Sequence, residues 1–465
     1  MSRVLKPYIF ALFAITPLVN ACATLETEDL IQKEEAAYSE IPSIWETQIS
    51  SSVSRADSWV NLLEDPILAS HLKTADDQNY DIAQAKINLA QAELSIEQAR
   101  ASLLPVVNSN GNVGGSALLR NLDSISESFG SGLSIGWDPD VFGVRKLQVD
   151  QAKLNKNIQS QLTYNTRQQI LANVINIYVS IIQSDLQIDL SLRNLDFLQE
   201  RLRIANAQYK VGRISLEQVS LAENNFQSAQ ASLEAQRLTS RQLRRSLSAL
   251  LGEYDDYNPE VADSLPLVQY LPKRSSPAQI LHQRADVKIA QEQINLALNS
   301  YKISVKSDWP IVSISGSIGG GGPNVSDVFD ISNYILNLSS SIFGNIYDGG
   351  LNEVQREEFR LGVEAAILNY KNVLRIAKND IENSYDQAGV NDSQLESLRA
   401  AAEAGDKALE LEQIRFDLGK SDLLSVLQVQ QSALSTNVSL INSQASIVTT
   451  LVDAYLATGG DLVYD

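Results

Sequence analysis

The sequence predicts a mainly α chain with a transmembrane β part: internally duplicated long α-helical hairpins, plus four β-strands for a barrel that several chains must share. Three observations predict this. The chain repeats itself at a fixed offset, it has two proline-free intervals of 68 residues, and in four segments apolar residues alternate with small polar ones.

The N-terminus comes first. Met1 to Ala21 carries Arg3 and Lys6, then the apolar run Tyr8 to Ile15, and ends at Ala21 before Cys22, the only cysteine in 465 residues. A charged start, a short apolar run and a small-residue site make an export signal, too short to span a bilayer as a helix. The stretch resembles a bacterial lipoprotein signal, with Val19 where Leu is usual and Leu18 one place further out. That resemblance implies lipidation of Cys22 as the first mature residue, with more than one acyl chain and hence a durable anchor. Ala23 after it implies sorting to the outer membrane. Losing Arg3 and Lys6 takes the formal charge from -19 to -21.

Asp81-Ile82 and Pro105-Val106 recur as Asp286-Val287 and Pro310-Ile311 at an offset of 205. Gly143, Tyr178, Gly212, Leu216, Val219 and Leu233 recur as Gly350, Tyr385, Gly419, Leu423, Val426 and Leu440 at 207, so two residues are gained in the loop between. The expected divisions are the signal at 1–21, a lipidated segment at 22–60, and repeats at 61–265 and 266–465.

Each repeat opens with an Ala/Gln/Glu-rich helix, Ile82 to Leu104 or Val287 to Asp308, stopped by Pro105 or Pro310. Two strands follow in each: Val106 to Leu118 and Gly130 to Trp137, then Ile311 to Gly319 and Asn333 to Phe343, with a loop expected around Gly319 to Pro323. Long helices occupy Val144 to Val211 and Leu351 to Leu418. In the first, Ile170, Val174, Ile177, Ile181, Ile188, Leu195, Leu198 and Leu202 trace a heptad seam broken at Ser184 and Ser191. A helix that long runs on the order of 100 Å, more than a compact domain holds. Gly212 and Gly419 end these helices, and Ser215 and Ser421 are placed to cap the returning ones.

Four alternating strands on an exported chain fit a transmembrane barrel, in which lipid-facing and lumen-facing residues alternate. Four strands leave two free edges, which hydrocarbon does not tolerate. Several chains must therefore supply one barrel.

At this point the chain resembles the outer-membrane efflux factor (TolC-like) family, in its lipidated branch serving resistance-nodulation-division drug-efflux systems. The marks are Cys22, the repeated unit, Trp137-Asp138-Pro139-Asp140-Val141-Phe142-Gly143, Tyr347-Asp348-Gly349-Gly350, Gln283-Arg284-Ala285-Asp286-Val287, the two glycine turns, and Tyr455-Leu456-Ala457-Thr458-Gly459-Gly460. Ala285 stands where the family usually has Pro. The resemblance implies a homotrimer with a periplasmic α-barrel and a twelve-stranded outer-membrane β-barrel in contact with outer-membrane lipid. It also implies a periplasmic adaptor (membrane fusion) protein and an inner-membrane pump as partners. By the same resemblance the tips at Gly212, Ser215, Gly419 and Ser421 meet the adaptor. Ser425 and Gln428 hold the places where the best-known relatives carry the aspartates of an acidic-ring gate, so that gate does not transfer. Arg415, Asp417 and Asp422 are the charged gate candidates there, with solvated helix-end charges as the competing reading.

The balance of 37 basic to 56 acidic residues repels a phosphate backbone, and nucleic acid is excluded as a partner. His71 and His282, 211 positions apart, share no motif and are read as surface residues. No catalytic residue, metal ligand or cofactor is assigned. Three alternatives to a passive drug-efflux duct remain open: a type I protein-secretion duct, a non-pore structural lipoprotein coiled coil, and an enzyme built on stray residues.

Overall fold

The computed structural model describes residues 30, 32–33, 65–118, 121–253, 258–266 and 277–460. The signal and Cys22 lie outside the described residues. Helix α1 (Pro66–Gln78) starts at Asp65, whose carboxylate accepts from the amides of Ile67 and Leu68 at 2.9 and 3.1 Å. Pro66, with no amide hydrogen to leave unsatisfied, suits the first helical position. Then come α2 (Tyr80–Ala101), β1 (Val106–Leu118), β2 (Asn121–Trp137), α3 (Val144–Lys210) and α4 (Leu216–Leu250). After the short α5 (Pro277–Gln283), the series returns as α6 (Ala285–Lys306), β3 (Ile311–Gly322), β4 (Ile335–Phe343), α7 (Leu351–Asp417) and α8 (Leu423–Ala457).

The duplication is visible in the lengths. The opening helices α2 and α6 have 22 residues each, α3 and α7 have 67, and α4 and α8 have 35. The two gained residues fall between the paired strands: Val106 lies opposite Gly136, and Ile311 opposite Phe343. Gly143, Gly212 and Gly252 adopt positive φ, as do Gly350, Gly419 and Gly459 one repeat later. The third of these pairs is a part of the repeat that the spacing of Gly143 and Gly212 already implied.

The strands form one antiparallel sheet in the order β1-β2-β3-β4. β2 starts nine residues before the expected Gly130, and the glycine run expected as a loop lies inside β3, with Gly319 to Gly322 paired to Gly132 to Phe129. Here glycine serves close approach, since a Cβ on Gly321 would collide with the Phe129 carbonyl. β4 starts two residues later than expected, after 3-10 turns at Val325–Phe329 and Ile331–Asn333. Helices α2 and α6 end at Ala101 and Lys306, four residues before their prolines, because Leu104 and Trp309 are already turning into the strands.

The chain divides into two compact units that cut across the repeat. One includes Ile87–Gln161 and Ile289–Asn372, and with them the whole sheet; the other includes Leu162–Lys288 and Val373–Asp465, and with them both glycine turns. The second unit has a core in which Leu171, Ile175, Tyr178 and Ile182 of α3 meet Leu68 and Leu72 of α1, Leu247 of α4, and Val448, Leu451 and Tyr455 of α8. The heptad seam is thus one stripe of a wider buried surface. Helices on several sides of α3 cover it nearly all round between Ile170 and Ile182, as expected where a helix is apolar on more than one face.

Candidate functional site: a two-faced sheet and two helical tips

The sheet has one apolar and one polar face. Register places Val107, Ile135, Gly316 and Leu338 in one row across the four strands, with Leu133, Ile318 and Leu336 in the neighbouring row. Their exposed side chains share this face with the exposed Val113, Ile314 and Ile342, and among them stand only small polar residues such as Ser109, Ser131 and Ser340. The alternate positions hold Asn108, Asn110 and Asn112 on β1, Ser134 on β2, Ser313, Ser315 and Ser317 on β3, and Asn337, Ser339 and Ser341 on β4, with the apolar Val106, Ile311, Ile335 and Phe343 confined to the strand ends. On this face the hydroxyls of Ser315 and Ser339 lie 2.7 Å apart. An apolar band of this kind is what hydrocarbon solvates, and the serine and asparagine face is what a water-filled lumen solvates. The outer strands β1 and β4 have no partner on their far sides within this sheet.

The motif Trp137 to Gly143 clamps the passage from strand to helix. Trp137 donates from Nε1 to the Leu103 carbonyl at 2.9 Å, Arg145 donates to Asp138 at 2.6 Å, and Asp140 accepts from the amides of Arg145 and Lys146. One repeat later Asp348 accepts from the amides of Asn352 and Gly350, and those bonds hold its carboxyl below the usual carboxylate range.

The motif around Arg284 and the C-terminal Thr458-Gly459-Gly460 explain each other. Arg284, largely buried, donates to both carboxylate oxygens of Asp286, to Asp380 at 3.2 Å and to the Ala457 carbonyl at 2.9 Å. Burial opposes its charge, but the bonds it donates to Asp286 and Asp380 and the field of both aspartates outweigh that and raise its pKa. A Cβ on Gly459 would meet the Arg284 backbone at 3.0 Å. The first repeat solves the same problem with a different residue: Asn79 donates to the Leu250 carbonyl at 2.8 Å and caps α2 through Asp81 and Ile82. Arg284 and Asp380 also line a cavity of about 620 Å³ whose walls are mostly amides and charges, including Gln168, Asn383 and Gln387.

At the tips, Gly212 and Gly419 have φ of 71° and 69°, and each helix closes with two backbone bonds, one donated by the glycine amide and one by the amide of the following residue. Ser215 caps α4, accepting from the Gln218 amide while Gln218 reaches back to Ser215. The cap of α8 is Asp422, not Ser421: its carboxylate accepts from the Ser425 amide at 2.7 Å, and that bond lowers its pKa. Ser421 instead donates to Glu412, which also pairs with Arg415 at 3.3 Å. Arg415, Gly419, Ser421, Asp422, Ser425 and Gln428 surround one groove of about 600 Å³. Asp417 faces the other way, toward Arg201 at 3.7 Å.

Arg201 was not singled out by sequence. It is buried, with its guanidinium carbon 5.0 Å from the Phe197 ring and 5.3 Å from the Phe416 ring, and its Nε and Nη1 have no hydrogen-bond partner among the described residues. The available signal was an arginine beside the heptad seam with Phe197 four residues earlier. His71 also differs from expectation. It is buried, 2.8 Å from the Glu260 carbonyl and edge-on to Tyr178, because α1 packs into the core. His282 is exposed, as expected. Tyr178 donates to Asp65 at 2.7 Å, and burial followed by that bond raises its pKa. Among the described residues no cluster of three or more His, Cys, Asp or Glu stands ready to hold a metal ion. Among them, too, no helix is long and apolar enough to cross a membrane.

Repeated helical hairpins with a two-faced, open-edged sheet define a class of membrane channel subunit that completes its β part with other chains. The chain belongs to the outer membrane efflux protein family, which it matches over residues 72–253 and 276–460, one match per repeat. It is 23% identical over 443 residues to the pyoverdine export outer membrane protein OpmQ of Pseudomonas aeruginosa, covering 90% of this chain and 91% of that one. It is 22% identical to the toluene efflux pump outer membrane protein TtgC of Pseudomonas putida, covering 91% and 89%. The fold is shared with the Campylobacter jejuni outer membrane channel CmeC, at a TM-score of 0.81 and 19% identity over 91% of this chain and 92% of that one.

Proposed function

We propose that this outer-membrane efflux protein is the passive duct of a tripartite system, conducting small molecules from an inner-membrane pump and its periplasmic adaptor to the exterior. Its work is transport without catalysis or cofactor. The observation that carries the reading is the sheet: an apolar face, a face of Ser and Asn, and two unpaired edge strands in a chain matched to this family along both repeats. Three chains, each giving four strands, close a twelve-stranded barrel and remove the edges.

In this reading Cys22 carries the lipid anchor, and 1–21, 22–60, 61–265 and 266–465 are the signal, the lipidated segment and the two repeats. The turns at Gly212 with Ser215 and Gly419 with Ser421 meet the adaptor. Arg415, Asp417, Asp422, Ser425 and Gln428 surround the periplasmic closure, with no acidic ring at Ser425 and Gln428. Arg201 joins them by holding Phe416 and Asp417. Purified protein reconstituted into liposomes tests the function: swelling in small neutral sugars, from a species three chains in mass, is the expected result. Liposomes that stay tight, with protein that is one chain in mass, would sink the duct and leave the structural coiled coil. Labelled palmitate incorporated by the parent and not by Cys22→Ser checks the anchor separately.

A further inference from the structure

The internal duplication fixes more than the fold of one chain. Because β1-β2 and β3-β4 are copies, the β2-β3 junction inside the chain is a copy of the junction that β4 makes with β1 of the next chain. We infer that β4 pairs with β1 of a second copy in one specific register, with Ser341 opposite Asn112 and Leu338 opposite Gly115. This rests on the shared-barrel reading above.

The register follows from pairs already present. Ser134 lies opposite Ser317, Ile135 opposite Gly316, and Ser131 opposite Gly320. Moving the β2 member forward by 207 and the β3 member back by 205, the two offsets of the repeat, gives Ser341 opposite Asn112, Ile342 opposite Gly111, and Leu338 opposite Gly115. An independent feature agrees. On β4 the apolar row is Leu336, Leu338 and Ile342, and on β1 it includes Val107 and Val113. The derived register puts both rows on the same face, whereas a slip of one residue would set Val113 among the serines and asparagines of β4. The large side chains also face small ones, Ile342 against Gly111 and Leu338 against Gly115, so strands meet without crowding on the apolar side. On the polar side Ser341 meets Asn112, a pair able to hydrogen-bond as Ser315 and Ser339 do within the chain.

Directly opposite residues bring Cβ atoms within about 4.5 to 5.5 Å, near disulfide range, whereas a two-residue slip puts them roughly 7 to 8 Å apart. The experiment is oxidative cross-linking of the full-length protein in outer membranes. It compares Asn112→Cys/Ser341→Cys with the slipped pairs Asn110→Cys/Ser341→Cys and Gly114→Cys/Ser341→Cys, and each single variant controls for Cys22. The expected result is covalent three-chain rings from the 112/341 pair, several-fold above either slipped pair. Gly114→Cys/Ser339→Cys, in the same register, guards against a folding failure of the first. A slipped pair that cross-links best overturns the register and leaves the trimer standing. Trimeric native mass with no cross-linking from either in-register pair also overturns it. A native mass of one chain with no cross-link overturns the register together with the shared barrel.

Discussion

The two glycine turns are copies in backbone and opposites in burial. Leu216 and Leu423 occupy the same repeat position, yet the first is 59% exposed and the second 4%. Tyr209 is 44% exposed where Phe416 is 9%, and Val426 is fully buried. The second tip is also tied by charge: Asp422 caps α8, Glu412 receives Ser421 and Arg415, and Arg201 reaches Asp417 and stacks against Phe416. Arg201 has no counterpart, since Ala408 stands one repeat later. Duplication thus set the path of the chain twice, and later divergence made one tip a fastened element and left the other an exposed one. An exposed apolar tip suits contact with another protein, and a fastened tip suits closure of a passage.

Breaking the difference should cost most in the buried tip. Leu423→Ala removes a packed side chain and is expected to destabilise by roughly 2 to 5 kcal/mol, whereas Leu216→Ala stays within about 0.5 kcal/mol, read as urea midpoints of the intact assembly. Arg201→Ala comes next, at about 2 kcal/mol, through lost stacking and lost packing of its stem. Arg201→Lys should not restore it, because a compact ammonium cannot lie flat between Phe197 and Phe416.

The caps give the smaller effects. Asp422→Ala should cost about 1 kcal/mol. The Asp422 carboxyl titrates below its ordinary value, so its contribution is complete above the ordinary carboxylate pKa and is lost as pH falls through the lowered one. The protection of the Ser425 amide against hydrogen exchange, taken relative to its intrinsic rate at each pH, should therefore fall on acidification. Exchange at the Gln218 amide, capped by the non-titrating Ser215, should show no such step. Ser215→Gly, smallest of all, should cost only a few tenths of a kcal/mol.

Much of this was legible in sequence. The offsets foretold the order of elements, the equal helix lengths, the strand pairs and both turns, because periodicity and glycine act locally. What escaped depends on contacts distant in sequence. The Gly319 to Gly322 run looks like a loop until Phe129 and Gly130 are seen against it. Ser421 looks like a cap until the offset from Ser215 is applied strictly and lands on Asp422. His71 is polar in a polar stretch, and only the packing of α1 on Tyr178 buries it. Arg201 reads as a solvated charge until two aromatic rings from different helices close over it.

The most direct test of the account is single-channel conductance in a planar bilayer, with parent and Arg201→Ala protein measured side by side and native mass taken in the same detergent. Discrete steps from a three-chain species are expected, small or rare in the parent and larger or more frequent once the second tip is unfastened. Absence of steps from both proteins would contradict the duct, and equal steps from both would contradict the role given to the second tip.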